Sequence, residues 1–285
     1  MTGHLILVPT PLGNLGDLTR RAEEVLAAAD LVACEDTRRT GRLLAHLDLE
    51  KELLRFDDHA GQRAYDMLTL ALGAGRTVAY CSDAGMPGVN DPGFEIARHA
   101  RAMGAQVTVL PGASAVTLAV VASGLPTHAF TFRGYLPSKG EARRTALKRL
   151  LGEEETVVVF ETPHRIHEAL SELAELAPER EIALGRELTK LHESWYRGTP
   201  AEVIAALGGE DRGEMVLVLS GAAAKRTVHE EEAAYKSGDA LPEWALRFLD
   251  AARDGGMTLR EAVKPLARHL GANASEIYKL AAERD

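Results

Sequence analysis

The stretch from Thr77 to Gly93 constrains this chain more than any other. It opens on an apolar run, Val78 to Cys81, with the length and character of a buried parallel strand. It then becomes a loop of Gly, Pro, Asp and Asn. Gly85, Gly88 and Gly93 permit positive φ and close backbone approach, while Pro87 and Pro92 stop the strand from continuing. Asp91 is placed to cap a helix that opens with Pro92 and runs through Phe94 and Ile96. Connections between a strand and its following helix are usually about 2–6 residues long. Ligands of open α/β sheets bind beyond the carboxyl ends of the strands. A long loop there, with Asp83 near its start, is a candidate ligand cradle.

The flanking sequence supplies the rest of such a sheet. Leu5-Ile6-Leu7-Val8, Asp30 to Cys34, Leu53 to Phe56 and Gln106 to Leu110 read as strands. Helical patterns over Thr19–Ala29, Thr40–Leu47, Gln62–Leu72 and Pro92–Met103 alternate with them. This βα alternation predicts a mostly parallel sheet covered on both faces. The first loop, Pro9 to Asp17, carries two prolines that remove backbone donors, and it lacks the Walker and G-x-G-x-x-G spacings. A nucleoside triphosphate or NAD is therefore disfavoured. Glu35-Asp36-Thr37-Arg38, at the end of the second strand, reads either as a solvated helix start or as crevice lining. Pro111 to Ala115 opens a helix through Val121 whose amides can hold a ligand carboxylate or oxygen. Its Ala115 stands where a nucleophile elbow needs Gly, which argues against a serine hydrolase.

At 285 residues the chain is long for one core and suits two domains with an appendage. No apolar run reaches the roughly 18 residues of a membrane span, and the N-terminus shows no basic region or cleavage pattern. Cys34 and Cys81 are the only cysteines, so a disulfide framework is not expected and a reducing cytoplasm is. A net charge of −9 argues against sequence-blind DNA binding.

The second half has a different texture. Ser123 to Pro126 reads as a linker, and Phe130-Thr131-Phe132 as a strand ending at Arg133 to Pro137. Arg133, Lys139, Arg143, Arg144, Lys148 and Arg149 then stand against Glu141 alone, a local imbalance that favours a phosphate-binding patch over a merely solvated helix face. Thr156 to Phe160 is a strand ending in Glu161-Thr162-Pro163-His164-Arg165. Glu161, His164 and His167 have superficially metal-like spacing. Pro163 is expected to break the start of any helix carrying them, and no further ligand lies nearby, so no metal is expected. Ile182 to Leu184, His192 to Gly198 and Met215 to Leu219 complete a sheet that is expected to be mixed. From about Ala222 the tail is charged and helical, with helices over 241–252, 258–270 and 275–282, the second opened by a Thr258–Glu261 capping box.

Several of these stretches, in order, resemble the ribosomal RNA small-subunit methyltransferase I family, whose fold is that of the tetrapyrrole methylases. They are Pro9 to Asp17, Glu35-Asp36-Thr37-Arg38, Ser82-Asp83-Ala84-Gly85 with Asp91-Pro92-Gly93, Leu110-Pro111-Gly112, Ser123 to Pro126, Gly134 to Pro137, Thr162 to Arg165 and Gly185 to Lys190. Met86 and Ala113-Ser114 depart from the family's usual Thr and Pro. The resemblance implies two α/β domains, a parallel-sheet N-domain over 1–122 and a mixed-sheet domain over 123–222, with a helical extension over 223–285. It implies a cytoplasmic homodimer that uses S-adenosylmethionine. The implied acceptor is the ribose 2′-hydroxyl of a decoding-centre cytidine in 16S rRNA, free or in the small subunit.

Cofactor contacts are then expected at Val8, Pro9, Asp83, Gly85, Ser114, Ala115, Phe160, Leu188 and Met215. Candidates for the proton transfer are Glu187, Lys190, Glu161 and His164. Candidates for RNA contact are Arg38, Arg133, Lys139, Arg143, Arg144, Arg165 and Arg186. Two other readings share these residues: a methylase of the same fold acting on a tetrapyrrole or a protein side chain, and a non-catalytic ribosome-binding protein.

Overall fold

A computed structural model of the chain describes residues 3–209, 212–222, 240–270 and 272–282. They form two compact units, residues 1–223 and 224–285. The first unit holds two five-stranded sheets.

The first sheet contains β1 (His4–Val8), β2 (Leu31–Cys34), β3 (Leu53–Arg55), β4 (Thr77–Cys81) and β5 (Gln106–Val109), in the order β3-β2-β4-β1-β5. All pairs are parallel, with His4 opposite Thr77 and Val8 opposite Cys81. Because successive side chains of a strand point to opposite faces, each central strand feeds two cores. Ile6, Val8, Val32, Cys34, Ala79 and Cys81 pack under α1 (Arg20–Ala28) and α2 (Thr37–His46). Leu5, Leu7, Leu31, Ala33, Val78 and Tyr80 pack under α3 (Gln62–Gly73) and α4 (Gly93–Ala102). Caps fix the helix starts: the Thr19 hydroxyl accepts the Ala22 amide, and the Asp36 carboxylate accepts the Arg38 amide. The loop after β1 leaves toward α1, and the loop after β4 leaves toward α4 on the opposite face. These neighbouring strands therefore define the topological switch point. Their loops are stitched by a two-residue bridge in which Thr10 and Gly85 exchange backbone hydrogen bonds of 3.0 Å each way.

The second sheet contains β6 (Phe130–Tyr135), β7 (Thr156–Glu161), β8 (Ile182–Arg186), β9 (Ser194–Gly198) and β10 (Met215–Leu219), in the order β6-β7-β10-β8-β9. Only β6 and β7 run parallel; the other pairs are antiparallel, so the sheet is mixed as expected. One face is covered by α6 (Gly140–Leu151), α7 (Pro163–Leu176) and α8 (Pro200–Leu207). The other face receives α5 (Ala115–Ser123), which packs on Val158, Ala183, Val216 and Val218. The helix expected to close the first domain therefore lies on the second sheet.

Two local readings need correction. Pro163 does not break a helix: it occupies the first turn of α7, where its missing N–H costs nothing. Helix α8 was not anticipated, although Thr199-Pro200-Ala201-Glu202 spells a proline-led capping box that the structure forms.

The second unit contains α9 (Glu243–Asp254), α10 (Leu259–His269) and α11 (Ala274–Ala282) around Ala245, Leu249, Val263, Leu266 and Ile277. The expected Thr258–Glu261 capping box is made. Residues 223–239, which belong to the expected helical extension, lie outside the described residues.

Candidate active site

The carboxyl ends of β1, β2 and β4 face the carboxyl end of β7 and the amino end of its antiparallel neighbour β10 across a cleft with two connected lobes of about 420 and 270 Å³. Together these lobes fall in the range of small-molecule sites, roughly 300–1,000 Å³. The larger is lined by the loop after β1 (Thr10 to Gly13), by Arg39 and Arg42 of α2, and by Lys190. The smaller is lined by Glu35, Asn90, Asp91, Ala115, Tyr135, Phe160, Met215 and Val216, among others. Leu12, Arg39, Ser82, Asp83, Ala84 and Glu214 line both, so Asp83 stands at the junction with Arg39 beside it.

The two walls approach each other where a side chain would obstruct. A Cβ on Gly13 would lie 2.3 Å from the Lys190 Cγ. A Cβ on Gly134, whose φ is +65°, would lie 3.1 Å from the Asn90 carboxamide oxygen. Phe160 is held at the inner wall edge-on to Phe132 and Tyr135, with ring centroids 4.8 and 5.6 Å away.

The Glu35-Asp36-Thr37-Arg38 stretch does two jobs. Asp36 caps α2 and pairs with Arg38. Glu35 enters the cleft: its Oε1 accepts the Asp83 amide at 2.7 Å, and Asp83 Oδ1 accepts the Asp36 amide at 3.0 Å. Burial pushes the Glu35 carboxyl up to about 7, and the charges of Asp91, Asp83 and Asp58 add to the shift against the lowering effect of the Asp83 amide. Burial also raises Asp91, although its Oδ1 accepts the Gly88 and Gly93 amides at 2.8 and 2.6 Å. The latter bond reaches the first residue of α4, but the N-cap is Pro92 rather than the expected Asp91, because the helix begins one residue later, at Gly93.

Across the cleft the charges are paired. Lys190 Nζ lies 2.8 Å from Glu187 Oε1 and 3.2 Å from Glu214 Oε2. Burial alone would raise Glu187, but Lys190, the Glu214 amide and Arg186 outweigh it and hold the carboxyl below its usual range. Burial likewise pulls on the Lys190 ammonium, and Glu187 with Glu214 hold it above its usual range. This loop keeps two non-glycine residues, Glu187 and Thr189, at φ of +54° and +65°, a conformation with a backbone cost. Glu161 has a fully buried side chain whose Oε1 accepts Arg165 Nη2 at 2.6 Å.

Of the residues expected to contact cofactor, the structure brings Asp83, Ala115, Phe160 and Met215 to the smaller lobe. Gly85 sits in the Thr10 bridge, and Pro9 packs against Gly112. Val8 and Leu188 are buried in the cores beneath, and Ser114 is the N-cap of α5. Of the four proton-transfer candidates, Lys190 and Glu161 line the cleft, while His164 is an exposed residue of the first turn of α7.

The basic residues fare differently. Arg143 is 3% exposed and bonds Glu172, Glu168 and the Ser138 carbonyl, which is at odds with a phosphate contact. Arg144 pairs with Glu175, Arg133 with Glu153, and Arg165 with Glu161 and the Leu136 carbonyl. Arg186 is buried with its Nε on the Arg212 carbonyl. Lys139 is exposed at the N-cap of α6, and Arg38 is exposed beside Asp36. Arg39 and Arg42 were missed because nothing in Arg38-Arg39-Thr40-Gly41-Arg42 says which arginines face the cleft; only the rotation of α2, set by the Asp36 cap, decides it.

A parallel-sheet half and a mixed-sheet half meeting at a switch-point cleft define a class, and residues 4–204 match the family model described as Tetrapyrrole (Corrin/Porphyrin) Methylases. Solved structures agree on the fold. Uroporphyrin-III C-methyl transferase from Thermus thermophilus, complexed with S-adenyl homocysteine, is 21% identical with a TM-score of 0.55, over 76% of this chain and 97% of that one. A ribosomal RNA small subunit methyltransferase I from Escherichia coli O157:H7 is 39% identical over 99% of this chain and 96% of its own length. The protein of the same name from Bacillus subtilis is 38% identical over 97% and 93%. The chain belongs to the ribosomal RNA small subunit methyltransferase I family of the tetrapyrrole methylases.

Proposed function

We propose that the protein methylates small-subunit ribosomal RNA with S-adenosylmethionine, at the ribose 2′-oxygen of a decoding-centre cytidine. The observation that carries the reading is the acidic cleft at the switch point. Glu35, Asp83, Asp91 and Glu214 line it, which suits a cationic donor and opposes a triphosphate. Ala115, Phe160, Met215 and Val216 supply the apolar surface for a purine ring. The residues present therefore fit the donor, which when bound supplies an electrophilic methyl group on a sulfonium.

The chain's own residues do the holding. Asp83, fixed by the Asp36 amide, faces the donor at the junction of the lobes. Arg39, Arg42 and Lys190 in the larger lobe receive the acceptor's phosphates. Holding the hydroxyl and the methyl group in line supplies much of the acceleration. The protein acts in the cytoplasm as a homodimer. In support, α5 is apolar around its circumference yet leaves Val121 75% exposed, a surface suited to a second copy. No described helix is long and apolar enough to cross a membrane.

The test is transfer of labelled methyl to small ribosomal subunits lacking the modification, followed by nuclease digestion and mass spectrometry. Label on one cytidine ribose is the expected result. Label on a base, on a ribosomal protein, or nowhere overturns the reading.

A further inference from the structure

We propose that Glu35 is the proton acceptor for the ribose hydroxyl. The inference rests on the ribose reading above. In the reaction the new O–CH3 bond forms at the 2′-oxygen, and the S–CH3 bond breaks with its electron pair left on sulfur. The hydroxyl proton passes to a Glu35 oxygen and then to water.

Three observations carry this. First, Glu35 reaches the cleft from the end of β2 and is locked beside Asp83, at the junction of the two lobes, by the 2.7 Å bond from the Asp83 amide. Second, that bond uses Oε1, and Oε2 has no hydrogen-bond partner among the described residues; the carboxylate is oriented and still has an acceptor to offer. Third, the groups around it are acidic. Asp83 and Asp91 face it from the loop after β4, and Asp58 from the loop after β3. Asp36 follows it on its own strand end, Arg39 of α2 lies 3.5 Å from Asp83, and Tyr135, Glu161 and Glu214 line the opposite wall. Arg39 is directed at Asp83, and burial outweighs the lowering effect of the Asp83 amide, so the carboxyl is pushed up to about 7. A base works best with its pKa near the operating pH. The other carboxylates considered each carry a cation partner: Glu187 is paired with Lys190, and Glu161 with Arg165.

The test compares wild type with Glu35→Gln, which keeps the acceptor for the Asp83 amide. Single-turnover methyl transfer to small subunits is measured from about pH 5.5 to 9, with calorimetric affinity for S-adenosylhomocysteine alongside. The wild-type rate should rise through about pH 7 and level off. The variant should lose about 100-fold or more together with that rise, and keep its affinity within about threefold. A carbon-13 carboxyl titration of the wild-type protein alone should place Glu35 near 7.

A variant that keeps the rate or its rise overturns the proposal. So does an affinity loss that accounts for the rate loss, or a wild-type Glu35 titrating near the ordinary value of about 4. A wild type that labels no ribose overturns the functional reading instead, and is told apart because it is read without any variant.

Discussion

The two walls of the cleft treat their most enclosed carboxylates differently. On the first-sheet wall Glu35 and Asp91 are half-buried among other carboxylates, and that desolvation raises both. On the second-sheet wall Glu161 is matched by Arg165 and Glu187 by Lys190. An uncompensated buried carboxylate costs stability, and a fold keeps one where chemistry needs it. A compensated one fixes geometry. The comparison therefore assigns reactivity to the first wall and positioning to the second, and it can be broken by removing the compensation.

The largest effect is expected at Arg165. Its guanidinium lies on the fully buried Glu161 and on the Leu136 carbonyl, so Arg165→Met strands a buried charge. Breaking such a pair typically costs about 3–5 kcal/mol. Urea unfolding of the full chain at neutral pH should show a loss of that order. A loss below about 1 kcal/mol would mean that the second wall is no better compensated than the first.

A smaller effect separates two neighbours on α6. Arg143 is buried between Glu172 and Glu168, whereas Arg144 is half-exposed beside Glu175. Arg143→Met should destabilise by about 2–4 kcal/mol, and Arg144→Met by less than about 1 kcal/mol. Neither should change affinity for small subunits by more than about twofold. A large loss of affinity with stability intact would return these residues to RNA contact and weaken the assignment of that role to Arg39 and Arg42.

Much of this architecture was legible in the residues. Parallel pairing follows from strands such as Leu31–Cys34 that are buried on both faces, and the cradle follows from the Gly, Pro and Asp content of 82–93. The cleft's charge balance was not legible. Whether Arg143 meets a phosphate or Glu172 depends on how α6 packs on α7, a contact 29 residues away in sequence. Local charge counting sees six cations against Glu141 and misses the carboxylates of α7 that neutralise Arg143 and Arg144. Glu35 hid for the same reason. Its neighbour Asp36 answers the helix-start reading, and only the Asp83 amide, 48 residues on, shows where Glu35 points. Helix α8 is different, because its Thr199–Glu202 capping box is local and visible in the sequence itself.

The smallest effect sharpens the comparison through pH. Lys190 is about a quarter exposed, so Lys190→Met should cost less than about 1 kcal/mol at neutral pH. The pH dependence of that small difference is the informative part. Glu187 is held below its ordinary value of 4.5, so its contribution is present above about 4.5 and is lost as pH falls through the folded value. Lys190 is held above its ordinary value of 10.5, so its contribution is present below about 10.5 and is lost as pH rises through the folded value. The gap between wild type and Lys190→Met, followed by urea midpoint, should be flat between these limits and close toward both extremes. Glu35 has the opposite sign. Its folded value of about 7 lies above the ordinary 4.5, so wild type loses stability relative to Glu35→Gln as pH rises from about 4.5 to 7. A first-wall gap and a second-wall gap with the same pH slope would show that the two walls differ in position and not in electrostatic purpose.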